Sequence, residues 1–282
     1  MPYRASVVVP SLGTPYLKVL LLSLSRQTVR PSEVVVVLKG AEPRRVEEVC
    51  AKKALNCVVV EQCEGYVTHA LNLGKRSAGG DVVIFTDEDA VPNPRWVETY
   101  LKLHRSYSAG CISSRDIYLD LREGLKKGPE EQPLVRLRKW LARPWLRRPH
   151  PLLKKYRLGV YITNDMRVAF GPYIPGRTCY SLPYRGVNMS FKKEALDEVE
   201  FPEHPLLKRG IRYEQYVGLQ LVLKGWDSIY VPYNPVLHIV RESLSRPRSR
   251  YGVEEVARER ELMRAMFAEL ITHVHKKQSE AV

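Results

Sequence analysis

Ser6–Pro10 is a short β-branched run closed by a proline, and Ser11-Leu12-Gly13 turns after it. Pro15–Arg26 repeats apolar residues at helical spacing, with Thr14 as N-cap and Pro15 in the first turn. Glu33–Leu38 is apolar without alternation, as in a strand buried on both faces of a parallel sheet. The pattern then predicts a helix over 43–54, a strand at Cys57–Val60 and a helix at Tyr66–Ser77. Asp81–Thr86 reads as a further fully buried strand. Strands and helices alternating in this way predict an α/β, Rossmann-like fold with a mostly parallel central sheet and helices on both faces. Ligands of such sheets bind beyond the C-terminal ends of the strands.

The pattern changes at 113–183, which reads as an insertion, part helix and part loop. Regular structure resumes at Tyr184–Phe191. A helix near Tyr213–Lys224, a strand at Ser228–Val231 and a final helix around Val253–His273 follow. The chain therefore divides at 1–112, 113–183, 184–240 and 241–282.

At 282 residues, 44% hydrophobic and 27% charged, the chain is long and apolar enough for a sizeable core. Its formal charge of +14 changes the picture more. Such a surface favours a polyanion, an anionic membrane or a phosphorylated substrate. Residues 121–160 hold 12 Lys or Arg against 3 Asp or Glu, together with Trp140 and Trp145. No apolar run reaches the roughly 18 to 20 residues of a membrane span. The first residues lack the apolar core of a signal peptide. The expectation is a cytoplasmic protein, at most peripheral at the inner face of the cell membrane. The five cysteines include no Cys-x-x-Cys, which argues against zinc. Asn and Gln total only 12, as in thermophile proteins. A disulfide within Cys50, Cys57 and Cys63 is then conceivable, but buried free thiols are the expectation.

Chemistry concentrates at Asp87-Glu88-Asp89, three acids at the end of a buried strand. Such a cluster repels itself unless a cation is present, and hard oxygen ligands favour magnesium, calcium or manganese. In an extended chain Asp87 and Asp89 point one way and Glu88 the other. The competing reading is an acidic turn capping the helix that begins near Pro94.

The blocks SVVVPSLG, ALNLGKRSAGGDVVIFTDEDAVPNPRWVE, RGVNMSFKKEAL and YEQYVGLQLVLKGWDSIYVPYNPVLH resemble family 2 glycosyltransferases of the GT-A fold, in order and spacing. The resemblance covers about residues 4–112 and 184–241. It implies an inverting transfer from a nucleoside-diphosphate sugar to an acceptor hydroxyl. It makes 1–112 the nucleotide-sugar half and 184–240 the acceptor and catalytic half. It also implies a divalent ion, Mn2+ or Mg2+, held by Asp89, His238 and Asp87. Pro10, Lys39, Asn72, Asp87, Glu88, Asn188 and Arg241 then line the donor site. Counting back from Gly225-Trp226, the family's general base falls on Glu214, where a glutamate replaces the usual aspartate. The competing readings, less favoured, are Glu214 as a helix N-terminal acid and His238 as a structural histidine after a strand. Arg241, Arg246 and Arg248 either close over the diphosphate or form a solvated basic tail.

Two positions depart from the family. Leu38-Lys39-Gly40 stands where members have Asp-Asp-Gly, and Lys39 cannot accept a hydrogen bond from a uracil N–H. Leu71-Asn72 stands where members have Arg-Asn. Gly186-Val187-Asn188 matches the family's Gly-x-Asn turn beside the donor sugar, a match that a plain strand turn also explains.

In Leu134–Arg148, Leu134, Leu137, Leu141 and Trp145 fall on one helical face and Arg136, Lys139, Arg143 and Arg147 on the other. That is the pattern of an interfacial helix, and it implies an anionic membrane and a lipid or lipid-linked acceptor. The same basic stretch also suits a nucleic-acid-binding protein. No nucleic-acid motif accompanies it, so no nucleic-acid partner is expected. A sugar nucleotidyltransferase is the nearer alternative, but Ser11-Leu12-Gly13-Thr14 is not its glycine-rich loop.

Overall fold

The computed structural model describes residues 3–126, 148–241 and 249–280, with side chains as far as 273. Residues 134–147, with Trp140 and Trp145, and Arg246 and Arg248 lie outside the described residues.

The strands are β1 Ala5–Ser11, β2 Glu33–Leu38, β3 Cys57–Glu61, β4 Val82–Phe85, β5 Ala90–Pro92, β6 Cys111–Asp120, β7 Gly124–Lys126, β8 Val160–Ile162, β9 Val168–Phe170, β10 Cys179–Tyr180, β11 Met189–Lys192 and β12 Ser228–Ile239. Helices α1 Pro15–Ser25, α2 Pro43–Lys52, α3 Val67–Ser77 and α4 Trp96–Ser106 connect the first half. Helices at Lys193–Asp197, Tyr213–Leu223 and Arg250–Glu280 follow. The main sheet runs β10-β12-β6-β11-β4-β1-β2-β3, with β5 on β12 and β7 on β6. It is parallel from β3 to β4, as the alternation of strands and helices requires. β11 then enters antiparallel to both β4 and β6.

The valine runs show why these strands lack polar alternation. Val7, Val9, Val34 and Val36 bury on one face with α1, α2 and α4. Val8, Val35 and Val37 bury on the other with α3 and the Tyr213–Leu223 helix. Successive side chains of a strand point to opposite faces, so a strand covered on both sides is apolar at every position. The cover is close. A Cβ on Gly74 of α3 would lie 2.2 Å from Val8 Cγ1 and 3.2 Å from Val37 Cγ2. Gly74→Ala should therefore cost about 1–3 kcal/mol of stability through overpacking. Thermal denaturation checks this against Gly176→Ala, whose Cβ meets nothing within 4 Å.

Four features differ from expectation. β6 runs straight across the 112/113 boundary, and it is a central strand of the sheet. Residues 153–184 of the supposed insertion build a third core with the last helix, through Leu153, Tyr156, Ile162, Leu182, Met263 and Phe267. β12 continues past Val231 to Ile239, with a register shift between Val231 and Val236 that absorbs Pro232 and Pro235. Cys50 and Cys57 form a disulfide rather than free thiols, because the turn after α2 brings their Cα atoms to 6.1 Å. Cys63, Cys111 and Cys179 are free.

Candidate active site

β1, β2 and β4 end side by side, and the chain leaving β4 turns at once through Asp87-Glu88-Asp89. The turn separates the three acids. Glu88 points towards β1, where its Oε2 accepts from Ser11 Oγ (2.7 Å) and from the Thr14 backbone N–H at the start of α1 (3.2 Å). Asp87 and Asp89 turn towards His238 instead, a separation made by the turn and not by the alternation of an extended chain.

The far side of the site comes from β12. Its end lies between β5 and β6, and His238 sits opposite Ala90 on one strand and Tyr118 on the other. This register places His238 Nε2 3.5 Å from Asp89 Oδ1 and Nδ1 3.2 Å from Asp116 Oδ2. Tyr118 stacks on the imidazole, with ring centroids 5.8 Å apart. Ligand atoms of Asp87, Asp89 and His238 all lie within 4.8 Å of one another. Arg241, just beyond β12, binds Asp89 Oδ2 through Nε and reaches Glu88 Oε1 through Nη2 at 3.3 Å.

The electrostatics follow from this crowding. Burial first, and the Asp89 charge second, push the Asp87 carboxyl up to about 7. Burial would raise Asp89 as well, but His238 and Arg241 hold it below the usual carboxylate range. Burial would depress the His238 imidazolium, but hydrogen bonds to Asp116 and Asp89 lift it to about 10. Asp116 is held low against its own burial by Arg185 and His238. Each acid thus leans on a neighbouring positive charge. Asp89 Oδ1 is buried and faces His238 Nε2 at 3.5 Å. Two carboxylates and an imidazole are a donor set that fits Mn2+ or Mg2+.

Glu214 lies in the first turn of the Tyr213–Leu223 helix. Burial raises its carboxyl above the normal range, and the Arg212 and Arg185 charges restrain the shift. Tyr213 ties this helix to the rest of the site. Burial first, and then the Asp87 and Glu214 charges, hold its phenol well above the usual tyrosine range. A Cβ at Gly186 would lie 1.7 Å from its hydroxyl oxygen, so the Gly186 turn admits only glycine.

The remaining expected residues divide. Pro10 pairs with Val37 near the end of β1. Lys39, at the end of β2, donates to Gly65 O (2.5 Å) and lies over the Tyr66 ring. Asn188 is committed inside the protein. Its Oδ1 accepts from Trp96 Nε1 and Tyr100 Oη, and its Nδ2 donates to Arg115 O and Asn234 O. Asn72 is likewise spent on Phe201 N, Phe201 O and Glu203. Both asparagines fasten the walls and have no free polar atom to offer a donor. Asp116, Arg185, Tyr118 and Ser11 were missed. Asp116 lies beside Arg115 in the mixed stretch CISSRDIYLD of β6, which carries no motif that singles it out.

A family model described as Glycosyl transferase family 2 matches residues 6–161. Among solved structures, S. aureus TarS 1–349 in complex with UDP-GlcNAc is 17% identical with a TM-score of 0.56, covering 85% of this chain and 59% of that one. GalNAc-T7 with UDP, GalNAc and Mn2+ is 14% identical with a TM-score of 0.63, covering 91% of this chain and 47% of that one. The chain thus spans about three-fifths of the first structure and about half of the second. Among curated proteins no sequence relative matches.

Proposed function

The chain belongs to glycosyl transferase family 2, and from that premise we propose that it is an inverting, metal-dependent enzyme moving a sugar from a nucleoside-diphosphate sugar to an acceptor hydroxyl. The observation that carries this reading is the convergence of Asp87, Asp89 and His238 at the C-terminal ends of the strands, where a parallel sheet binds its ligand.

Asp89, His238 and Asp87 would hold the ion. When bound, it supplies positive charge to the departing diphosphate. Asp116 fixes the His238 ring through Nδ1, leaving Nε2 directed at Asp89. Arg241 is placed to pair with phosphate oxygens once Asp89 is engaged elsewhere, adding positive charge where it develops. Glu214 takes the acceptor proton as that oxygen bonds to the anomeric carbon. The bond from carbon to the phosphate oxygen breaks, and its electron pair leaves with the diphosphate. A single displacement inverts the stereochemistry, with no covalent intermediate. The burial that raises Glu214 makes it a stronger base than an exposed glutamate. UDP accompanies both structural neighbours. Here Lys39 offers a donor where a uracil N–H needs an acceptor, so the base must be held by other groups. Release of nucleoside diphosphate from a panel of sugar nucleotides, with Mn2+ and with EDTA, tests the reading. Release from none with Mn2+ present contradicts it.

The acceptor belongs to a lipid or lipid-linked glycan on this reading, and the enzyme is peripheral to an anionic membrane. No described helix is long and apolar enough to cross one. The basis is the amphipathic, basic pattern of Leu134–Arg148. Co-sedimentation should show binding to anionic but not neutral liposomes, weakened by salt and by Trp145→Ala. Absence of binding to either points to a soluble acceptor.

A further inference from the structure

A cavity of about 290 Å³ opens between the β8–β9 hairpin and the C-terminal helix. Its rim carries Arg167, Arg212, Arg260 and Arg264, and Met263 and Phe267 form its floor. One carboxylate, Glu261, lines it as well. Glu261 is matched by Arg264 at 2.8 Å, and Arg167 pairs with Asp165 at 3.1 Å. Arg212 stacks on Phe170. The Arg260 side chain has neither an ion pair nor a hydrogen bond among the described residues. Four guanidinium groups against the two carboxylates of Glu261 and Asp165 leave the cavity with an excess of positive charge.

The backbone points to the same place independently. Among the described residues three non-glycine residues adopt a left-handed conformation, and two of them, Met166 (φ 61) and Arg212 (φ 69), line this cavity. Such strain persists where the surrounding structure holds it, often at ligand sites. Arg212 directly precedes Tyr213 and Glu214, and its charge is felt at Glu214. One lining residue of the cavity thus stands two positions before the group assigned to receive the acceptor's proton.

We propose that this cavity binds a phosphate group carried by the acceptor, so that the acceptor hydroxyl is presented to Glu214; the inference rests on the glycosyltransferase reading. Guanidinium groups grip phosphate oxygens in paired hydrogen bonds. The volume lies at the small end of ligand pockets, which suits one phosphoester head group better than a whole nucleotide.

The test uses the full chain, wild type and Arg167→Gln/Arg260→Gln. Both changes lie on the exposed rim and outside the donor site. The probes are sn-glycerol 3-phosphate, inorganic phosphate, and vesicles of phosphatidylglycerol in phosphatidylcholine or of phosphatidylcholine alone. Wild type should bind a phosphate probe at least about tenfold more tightly than the double variant, by the loss of paired contacts. Thermal stability and Mn2+-dependent sugar-nucleotide binding should stay the same. A loss confined to the phosphatidylglycerol vesicles assigns the phosphate to a lipid head group, and a loss with the soluble esters to a soluble acceptor. Equal binding by both proteins, or none by wild type, overturns the proposal even if donor binding is intact. Arginine-dependent phosphate binding without any sugar-nucleotide binding overturns instead the glycosyltransferase reading, and the acceptor assignment with it.

Discussion

Asp89→Ala should abolish transfer and Mn2+-dependent donor binding while leaving the fold in place. Asp89 sits between His238 and Arg241, with its buried Oδ1 facing His238 Nε2 at 3.5 Å. Removing it takes a ligand from the proposed cation and leaves His238 and Arg241 facing each other. Metal affinity should fall by at least about 10- to 100-fold, the loss typical of removing even an outer partner of a metal site. Calorimetric titration with Mn2+ and sugar nucleotide, together with circular dichroism, checks both halves. Wild-type turnover in this variant, or undiminished turnover of wild type in EDTA, would remove the metal from the mechanism.

Glu214→Gln keeps the size of the side chain but cannot accept a proton. Turnover should fall by roughly 10² to 10⁴, with sugar-nucleotide affinity nearly unchanged. The direction of the Glu214 shift adds two further signs. A base must be deprotonated, so the wild-type rate should rise with pH through a value above that of an ordinary glutamate. A carboxyl raised in the folded state stabilises fully only below its unfolded value, and that contribution is lost as pH rises through the folded one. Near neutral pH the glutamine variant should therefore melt no lower than wild type, and a loss of activity is not a loss of fold. If donor affinity falls while turnover holds, Glu214 is a binding or capping residue.

The parallel half of the fold was legible because buried valine runs have one physical explanation, a sheet covered on both faces. The acidic turn was legible because three adjacent acids after such a run are costly without a cation. β12 was read too short, because Pro232 and Pro235 look like a strand end and the register shift that accommodates them depends on its neighbours β5 and β6. Asp116 was invisible for the same reason. Only the pairing of β6 with β12 brings it to His238. Asn72 and Asn188 show what a motif match leaves out. Their positions match the family, but their hydrogen bonds are made to partners far away in the chain. The +9 stretch concealed a contribution to the third core, since charge counts do not reveal which apolar residues meet the last helix.

The central claim is that Asp87, Asp89 and His238 hold the ion that receives the donor diphosphate. Crystals soaked with Mn2+ and a sugar nucleotide, measured for anomalous scattering from manganese, test it most directly. The account predicts one strong peak bonded to Asp89 and His238, with diphosphate oxygens on the same ion and Arg241 moved from Asp89 to phosphate. A donor bound with no manganese beside it, or manganese elsewhere with Arg241 still on Asp89, would contradict it.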